Sequence, residues 1–462
     1  MKGKAVMSTA TNLSPTTTFT SRQRVILLVL LGAGFLVSVD FSIFNVALPE
    51  TGAGIGMQLK DWPWIASAYA LPSAGLALLF GRLADRVGRR RLFMASMLLL
   101  AAASLLGGLA ADPATVLAAR ALQGTATAMA LPTALALLTT TFAEGRLRER
   151  ALGLNGALLS GGFTLGALVG GTFVSLLSWR AAFLLNVPVA IAILACTPLV
   201  IEDSRPPVRP ALDVAGAATV SVGLVGVVYA VVEKSVVAAI AGAALLVAFW
   251  LVERRSPAPL APISVLSRRT VTWANVAGFT VFTMETGMIF LMTLYLQRIL
   301  GLSPFITGLV FGIPGLAAVA AGVIAGRLLG RFGPARILPV AMCVQGTAII
   351  PLVFLGQSRA TIAVVVPTLL IGFFGHVCSI VGYTVTGTSG LTNDDQGLAT
   401  GLATMTQQVA IAVGIPILST VAATQSVELT GIHVALTVDV AVTLVSSMLV
   451  MLGLRARKDQ DL

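Results

Sequence analysis

Charge is scarce in this sequence. Only 11% of its 462 residues are Asp, Glu, Lys or Arg, and 56% are hydrophobic. An ordinary soluble domain carries about 25% charged residues, so the composition excludes one and indicates an integral membrane protein. Cysteine is nearly absent. Cys196, Cys343 and Cys378 fall in apolar stretches with neither a disulfide framework nor metal-ligand spacing, and read as small buried hydrophobes. His376 and His433 stand alone and read as structural. No glycine-rich run ends in G-K-[ST], so no ATP phosphate cradle is expected. With no hydrolytic triad, metal cluster or cofactor signature, the chain does not read as an enzyme. Acidic residues are outnumbered 30 to 19, giving a net charge of +11. That surplus does not mark a nucleic-acid binder, because the basic residues sit between apolar runs, where membrane topology accounts for them.

The first 20 residues are polar and rich in Ser and Thr, as in a disordered tail. The apolar run after Arg22 and Arg24 is too long for a signal peptide and reads as an uncleaved span. Fourteen runs suit membrane-spanning helices: 24–48, 62–81, 92–111, 114–142, 151–177, 181–201, 212–232, 235–252, 272–297, 304–327, 336–356, 360–386, 397–424 and 431–454. Twenty-four Lys and Arg residues fall in the even-numbered loops and the tails, five in the odd-numbered loops, and Arg120 within a span. The positive-inside rule makes both termini cytoplasmic.

The basic stretch Gly81 to Arg91 holds five arginines around Asp85 and reads as a tight loop between spans 2 and 3. Gly81, Asp85, Arg86, Gly88, Arg89 and Arg90 fit a G-x-x-x-D-R-x-G-R-[RK] pattern, and the stretch resembles the corresponding loop of the major facilitator superfamily of transporters. Gly326 to Gly333 repeats Gly81 to Gly88 at an interval of 245 residues, with Gly330 replacing the aspartate. Eight spans fill that interval, so two six-span halves with two inserted spans are expected, and substrate would bind between the halves. The boundaries are a tail at 1–23, a first bundle at 24–201, a linker with two extra helices at 202–271, a second bundle at 272–454 and a tail at 455–462. The fold class is an all-α membrane protein.

Asp40 precedes Asn45-Val46-Ala47-Leu48-Pro49, which resembles the first-span signature of the fourteen-span drug:proton antiporter branch of that superfamily. Arg120-Ala121-Leu122-Gln123-Gly124 resembles the family's span 4 signature, in which the arginine is tied to proton coupling. Gly162, Gly166, Gly170 and Gly171 resemble its antiporter motif, with Ala167 where a proline is usual; glycines four apart share a helix face and admit a close neighbour. Gly308, Gly312, Gly322 and Gly326 of span 10 offer the matching face. Trp179-Arg180 through Asn186-Val187-Pro188 fits the family's entry to span 6.

Three carboxylates lie well inside spans: Asp40, Glu285 and Asp439. Such groups are costly in lipid and mark pathways or proton sites. Asp40 and Arg120 have similar depths and opposite charge, so they are expected to be partners. Phe282, Met288 and Met292 share a face with Glu285 and suit an adaptable apolar ligand. The resemblance implies proton-coupled export of small lipophilic compounds across a bacterial plasma membrane by a monomer; Glu285, which no basic residue of its span offsets at helical spacing, would favour cations among them. Asp40, Arg120 and Glu285 would couple protons, and Asp40, Gln123, Phe282, Glu285, Met288 and Met292 would meet substrate. An importer on the same fold is the alternative within transport, and a transport-dead sensor the alternative outside it. Asp85→Asn should reduce transport while leaving substrate binding intact, because the loop is at the membrane surface and the site at mid-depth. Equilibrium binding beside flux checks this; lost binding in a folded variant would move Asp85 into the site.

Overall fold

Apolar segments in lipid have no water to satisfy their backbone groups, so they must close those bonds internally, as helices do. The computed structural model describes residues 19–142, 146–202, 213–255, 267–391 and 393–455, and among them no strand occurs. A helix stands at each of the fourteen apolar runs: α1 Ser21–Gly54, α2 Pro63–Val87, α3 Arg89–Gly108, α4 Pro113–Thr141, α5 Arg146–Leu176, α6 Arg180–Leu184 continued by Asn186–Val200, α7 Val214–Glu233, α8 Val236–Arg255, α9 Arg269–Leu294, α10 Pro304–Phe332, α11 Pro334–Ile349, α12 Ile362–Thr388, α13 Asn393–Ala422 and α14 Glu428–Arg455. Twelve are long and apolar enough to cross a membrane by themselves, and α2, bent by 56° near residue 78, makes thirteen. In α5 the apolar part is the shorter Gly161–Leu176. Among the described residues, length and composition therefore support twelve to thirteen crossings, and a fourteenth is not confirmed.

The packing repeats. In the first set, α1 packs on α4, α5 and α6, while α3 packs on α4 and α6; in the second, α9 packs on α12, α13 and α14, while α11 packs on α12 and α14. The sets meet where α5 lies on α10 and α2 on α13. The α7–α8 hairpin turns at Lys234, which is in the left-handed region, and α7 rests on both α2 and α13.

Two expectations are corrected. The stretch from Gly81 to Arg91 is not a loop: α2 continues to Val87, Gly88 alone breaks the helix at φ 115°, and α3 starts at Arg89. Gly333, at φ 83°, does the same between α10 and α11. Glycine adopts these angles without the Cβ clash of other residues, so a single residue reverses the chain. Cys378 is buried, but Cys196 and Cys343 are exposed. Hydropathy cannot separate a lipid-facing position from an inward one, because both are apolar.

The glycine face is also reassigned. A Cβ at Gly162, Gly166 or Gly170 would crowd Phe35, Ser42 and Ile43, so these glycines seat α5 on α1, not on α10. Against α10, Gly171 meets Pro304 and Ala167 meets Gly308, while Gly312 and Gly315 face Leu168 and Thr164. Toward the arginine-rich ends of the same two helices, a Cβ at Gly153, Gly161, Gly322 or Gly326 would meet nothing within 4 Å. Across α1 and α9, Thr293 Oγ1 donates to the Asn45 carbonyl at 2.9 Å and Gln297 Nε2 to that of Val46 at 3.0 Å. The described contacts of α5 with α10 and of α1 with the α9 end thus lie toward the arginine-poor face. Gly308→Leu should cost about 1–3 kcal/mol through overpacking, whereas Gly326→Leu should be nearly neutral. Unfolding transitions in detergent test this; equal losses would mean that the helices also touch at Gly326.

Candidate functional site

Asp40 lies midway along α1 and is wholly buried. A carboxylate there needs partners, and the surrounding helices supply them. Arg120 Nη1 on α4 donates to Oδ2 at 3.2 Å, Gln123 Nε2 donates to Oδ1 at 3.2 Å, and Asn186 Nδ2 on α6 donates to the same Oδ1. Arg120 is satisfied in turn. Its Nε donates to the Ile65 carbonyl on α2 at 3.1 Å, and Nη1 also reaches Gln123 Oε1 at 2.9 Å. Its guanidinium stands 3.9 Å from the Phe44 ring centroid and 4.3 Å from that of Tyr69, an arrangement that favours a desolvated cation. Gln123 Nε2 reaches Ser104 on α3 at 2.9 Å, and Tyr69 pairs with Thr127 at 2.8 Å. Asp40 and Arg120, read from sequence as partners, therefore form an ion pair inside the first helix set.

Asn186 was quoted in the span 6 entry but not assigned to the site. Its placement follows from Pro188, which has no N–H for the Leu184 carbonyl, and α6 divides at that point. Ser104 and Tyr69 gave no sequence signal, since a lone hydroxyl in an apolar run is common.

Glu285 occupies a different environment. Gln345 Nε2 on α11 donates to its Oε2 at 3.0 Å, and His376 Nδ1 on α12 stands 3.7 Å from that oxygen. Phe282 meets His376 edge-on at 5.3 Å and Tyr383 at 6.0 Å. Asp439 on α14 is wholly buried and takes a hydrogen bond from Thr443 at 3.2 Å, and Thr443 lies against Gly346, next to Gln345. Glu285 Oε1, Gln345 Oε1, His376 Nδ1 and Asp439 Oδ2 are all buried without a hydrogen-bond partner. Gln345 was not singled out from sequence, and His376, read as isolated, sits beside Glu285. Met288 and Met292 are sealed in the apolar core that joins α1 to α9. The candidate residues thus form two separate clusters, one in each helix set.

The basic stretch forms a third, apart from both. Asp85 Oδ1 accepts from Arg89 Nε at 2.8 Å, and Arg90 Nη1 donates to the Ile201 carbonyl at 3.0 Å, tying α3 to the end of α6. Gly81 lies within α2, and Arg86 is exposed. No group of His, Cys, Asp and Glu suited to a metal occurs among the described residues.

Comparison with known proteins agrees with this architecture. The model described as Major Facilitator Superfamily matches residues 30–415. The puromycin resistance protein pur8 of Streptomyces alboniger is 36% identical over 411 residues, covering 86% of this chain and 81% of the relative. The cephamycin export protein CmcT of Amycolatopsis lactamdurans is 36% identical over 425 residues, covering 88% and 86%. A crystal structure of a peptide transporter, POT, in complex with sulfate superposes with a TM-score of 0.72 at 16% identity over 92% of this chain and 94% of that one, a likeness of fold alone.

A buried ion pair is strained by the loss of either partner, because the remaining charge is stranded at a cost of about 3–5 kcal/mol. Asp40→Asn and Arg120→Gln should each destabilise by that amount, and the double variant should recover much of it. A double-mutant cycle on unfolding in detergent decides; strictly additive losses would deny the coupling.

Proposed function

Given that the chain belongs to the Major Facilitator Superfamily, we propose that it is a proton-coupled exporter of small lipophilic antibiotic-like compounds, cations among them. The observation that carries this reading is the set of relatives named for puromycin resistance, cephamycin export and multidrug resistance, matched over most of this chain. The membrane is a bacterial plasma membrane and the working unit a monomer. Both termini are cytoplasmic, on the side that holds most of the arginines. The first bundle is 24–201 and the second 272–454, with the inserted hairpin in 202–271.

Asp40 is the coupling carboxylate. With its proton absent it is held by Arg120, Gln123 and Asn186; protonation removes the charge that Arg120 balances and loosens the contacts among α1, α4 and α6. Substrate and proton favour different states, and that difference in affinity links the two flows. Phe282, Glu285, Met288 and Met292 are packed in the present conformation, so their contact with substrate belongs to a rearranged one. Gly81, Asp85, Arg86, Gly88 and Arg89 belong to the balance between states: Asp85 is held here by Arg89 of its own turn and is available to the facing bundle when the arginine-rich side closes.

In inverted vesicles carrying the protein, an imposed proton gradient should drive accumulation of puromycin, and Asp40→Asn should abolish the dependence on the gradient. Downhill entry with protons, or gradient dependence unchanged by Asp40→Asn, would remove the exporter reading or the assignment of Asp40 respectively.

A further inference from the structure

Asp40 and Glu285 are 245 residues apart, the interval that separates Gly81 from Gly326 and Gly88 from Gly333. The packing makes the two carboxylates counterparts. Asp40 on α1 draws its partners from α4 and α6 through Arg120, Gln123 and Asn186, with Ser104 of α3 behind Gln123; Glu285 on α9 faces α11 and α12 through Gln345 and His376, and α14, packed on α9, buries Asp439. The chemistry differs at all three corresponding helices, with Gln345 on α11 where α3 carries Ser104. Where the first set places an arginine, the second places a histidine, and where the first places an asparagine, the second places an aspartate.

We propose that Glu285 and Asp439 form a second proton-exchange site, lodged in the second helix set and related by the internal repeat to the Asp40 site. This deepens the proton-coupled reading above and rests on it for the direction of transport. The charge balance carries the argument. Asp40 has its counter-charge built in, whereas no lysine or arginine pairs with Glu285 or Asp439 among the described residues. α9 carries no other titratable group between Arg269 and Tyr295, α11 carries Arg336, exposed in its first turn, and the exposed Cys343, and α12 offers His376, Cys378 and Tyr383. α13 has no titratable residue between Gln396 and Ala422, and α14 presents Asp439 between His433 and Arg455. Two buried carboxylates without a cation are tolerated when protons neutralise them.

Hydrogen bonding points the same way. Glu285 Oε1, Asp439 Oδ2 and Gln345 Oε1 are acceptors without donors, and His376 Nδ1 is also unpartnered. A proton on a carboxyl oxygen supplies the missing donor. At 4%, 0% and 8% exposure for Glu285, Asp439 and His376, the cluster is closed to a drug-sized cation in this conformation but not to a proton. His376 is a positioning residue: it sets the hydrogen-bonding capacity around Oε2 of Glu285, while the carboxyls take and release the proton.

Infrared spectroscopy on the full-length protein in liposomes tests this with pH as the only probe. The carbonyl stretch of protonated carboxyl groups should be present near neutral pH and fade on alkalinisation. Glu285→Gln and Asp439→Asn should each remove about half of the part of the band that belongs to the pair, that part should persist in Asp40→Asn, and His376→Gln should keep it but shift its pH profile. If the amide variants do not fold, Glu285→Asp keeps the carboxyl and should displace the band rather than remove it. A band untouched by substitutions at Glu285 and Asp439, or one lost with Asp40→Asn, overturns the proposal. So does binding of tetraphenylphosphonium that depends on Glu285 while the band does not. The measurement needs no transport, so a silent pair with intact gradient-driven export refutes the second site alone, and a titrating pair without export refutes only the exporter reading.

Discussion

Placing a charge inside an apolar helix bundle is the constraint on which the first half of this molecule depends. Asp40 and Arg120 are both sealed from solvent, and neither is tolerable there alone. Their mutual attraction repays the desolvation only because five helices complete the hydrogen bonding: α1 and α4 bring the pair and Gln123, α2 the Ile65 carbonyl, α3 Ser104 and α6 Asn186. Phe44 and Tyr69 enclose the guanidinium from the remaining sides. The rotation and depth of each helix are therefore tied to one carboxylate, so a change in its protonation is felt by all five.

The junction between the halves works by another principle. There the helices approach through small residues, Gly308 on Ala167 and Gly171 on Pro304, and through hydrogen bonds from Thr293 and Gln297 to backbone carbonyls of α1. In lipid there is no hydrophobic force to hold helices together, and close packing of this kind does so instead. Among the described residues this interface holds no buried ion pair. The described contacts cluster toward the arginine-poor face, and a Cβ at Gly153 or Gly326 would meet open space. The first helix set is thus held by a buried charge network, and its junction with the second by close apolar packing and backbone hydrogen bonds.

Composition, run length and the placement of arginines were enough to recover the helical class, the positions of all fourteen helices and the repeat that relates Gly81 to Gly326. These are local or additive properties: burying a backbone in lipid demands helices wherever about 20 apolar residues run together. Asp40 and Arg120 were legible for a related reason, since an ionisable group within an apolar run is conspicuous whatever it touches. The same reasoning was too coarse at Gly81 to Arg91, where polarity suggested a loop but helix geometry needs only Gly88 to turn.

What only the tertiary structure decided is which groups meet. His376 looked isolated because the acid it meets, Glu285, is 91 positions away in the chain, on another helix. Gln345 and Asn186 are ordinary polar residues until α11 and α6 bring them to Glu285 and Asp40. Gly162, Gly166 and Gly170 announced a close neighbour, but their spacing is equally suited to α1 and to α10. An apolar helix reads alike on its lipid and inner faces, so its sequence encodes that it crosses the membrane. Its rotation and its neighbours are set by the packing of all the helices at once.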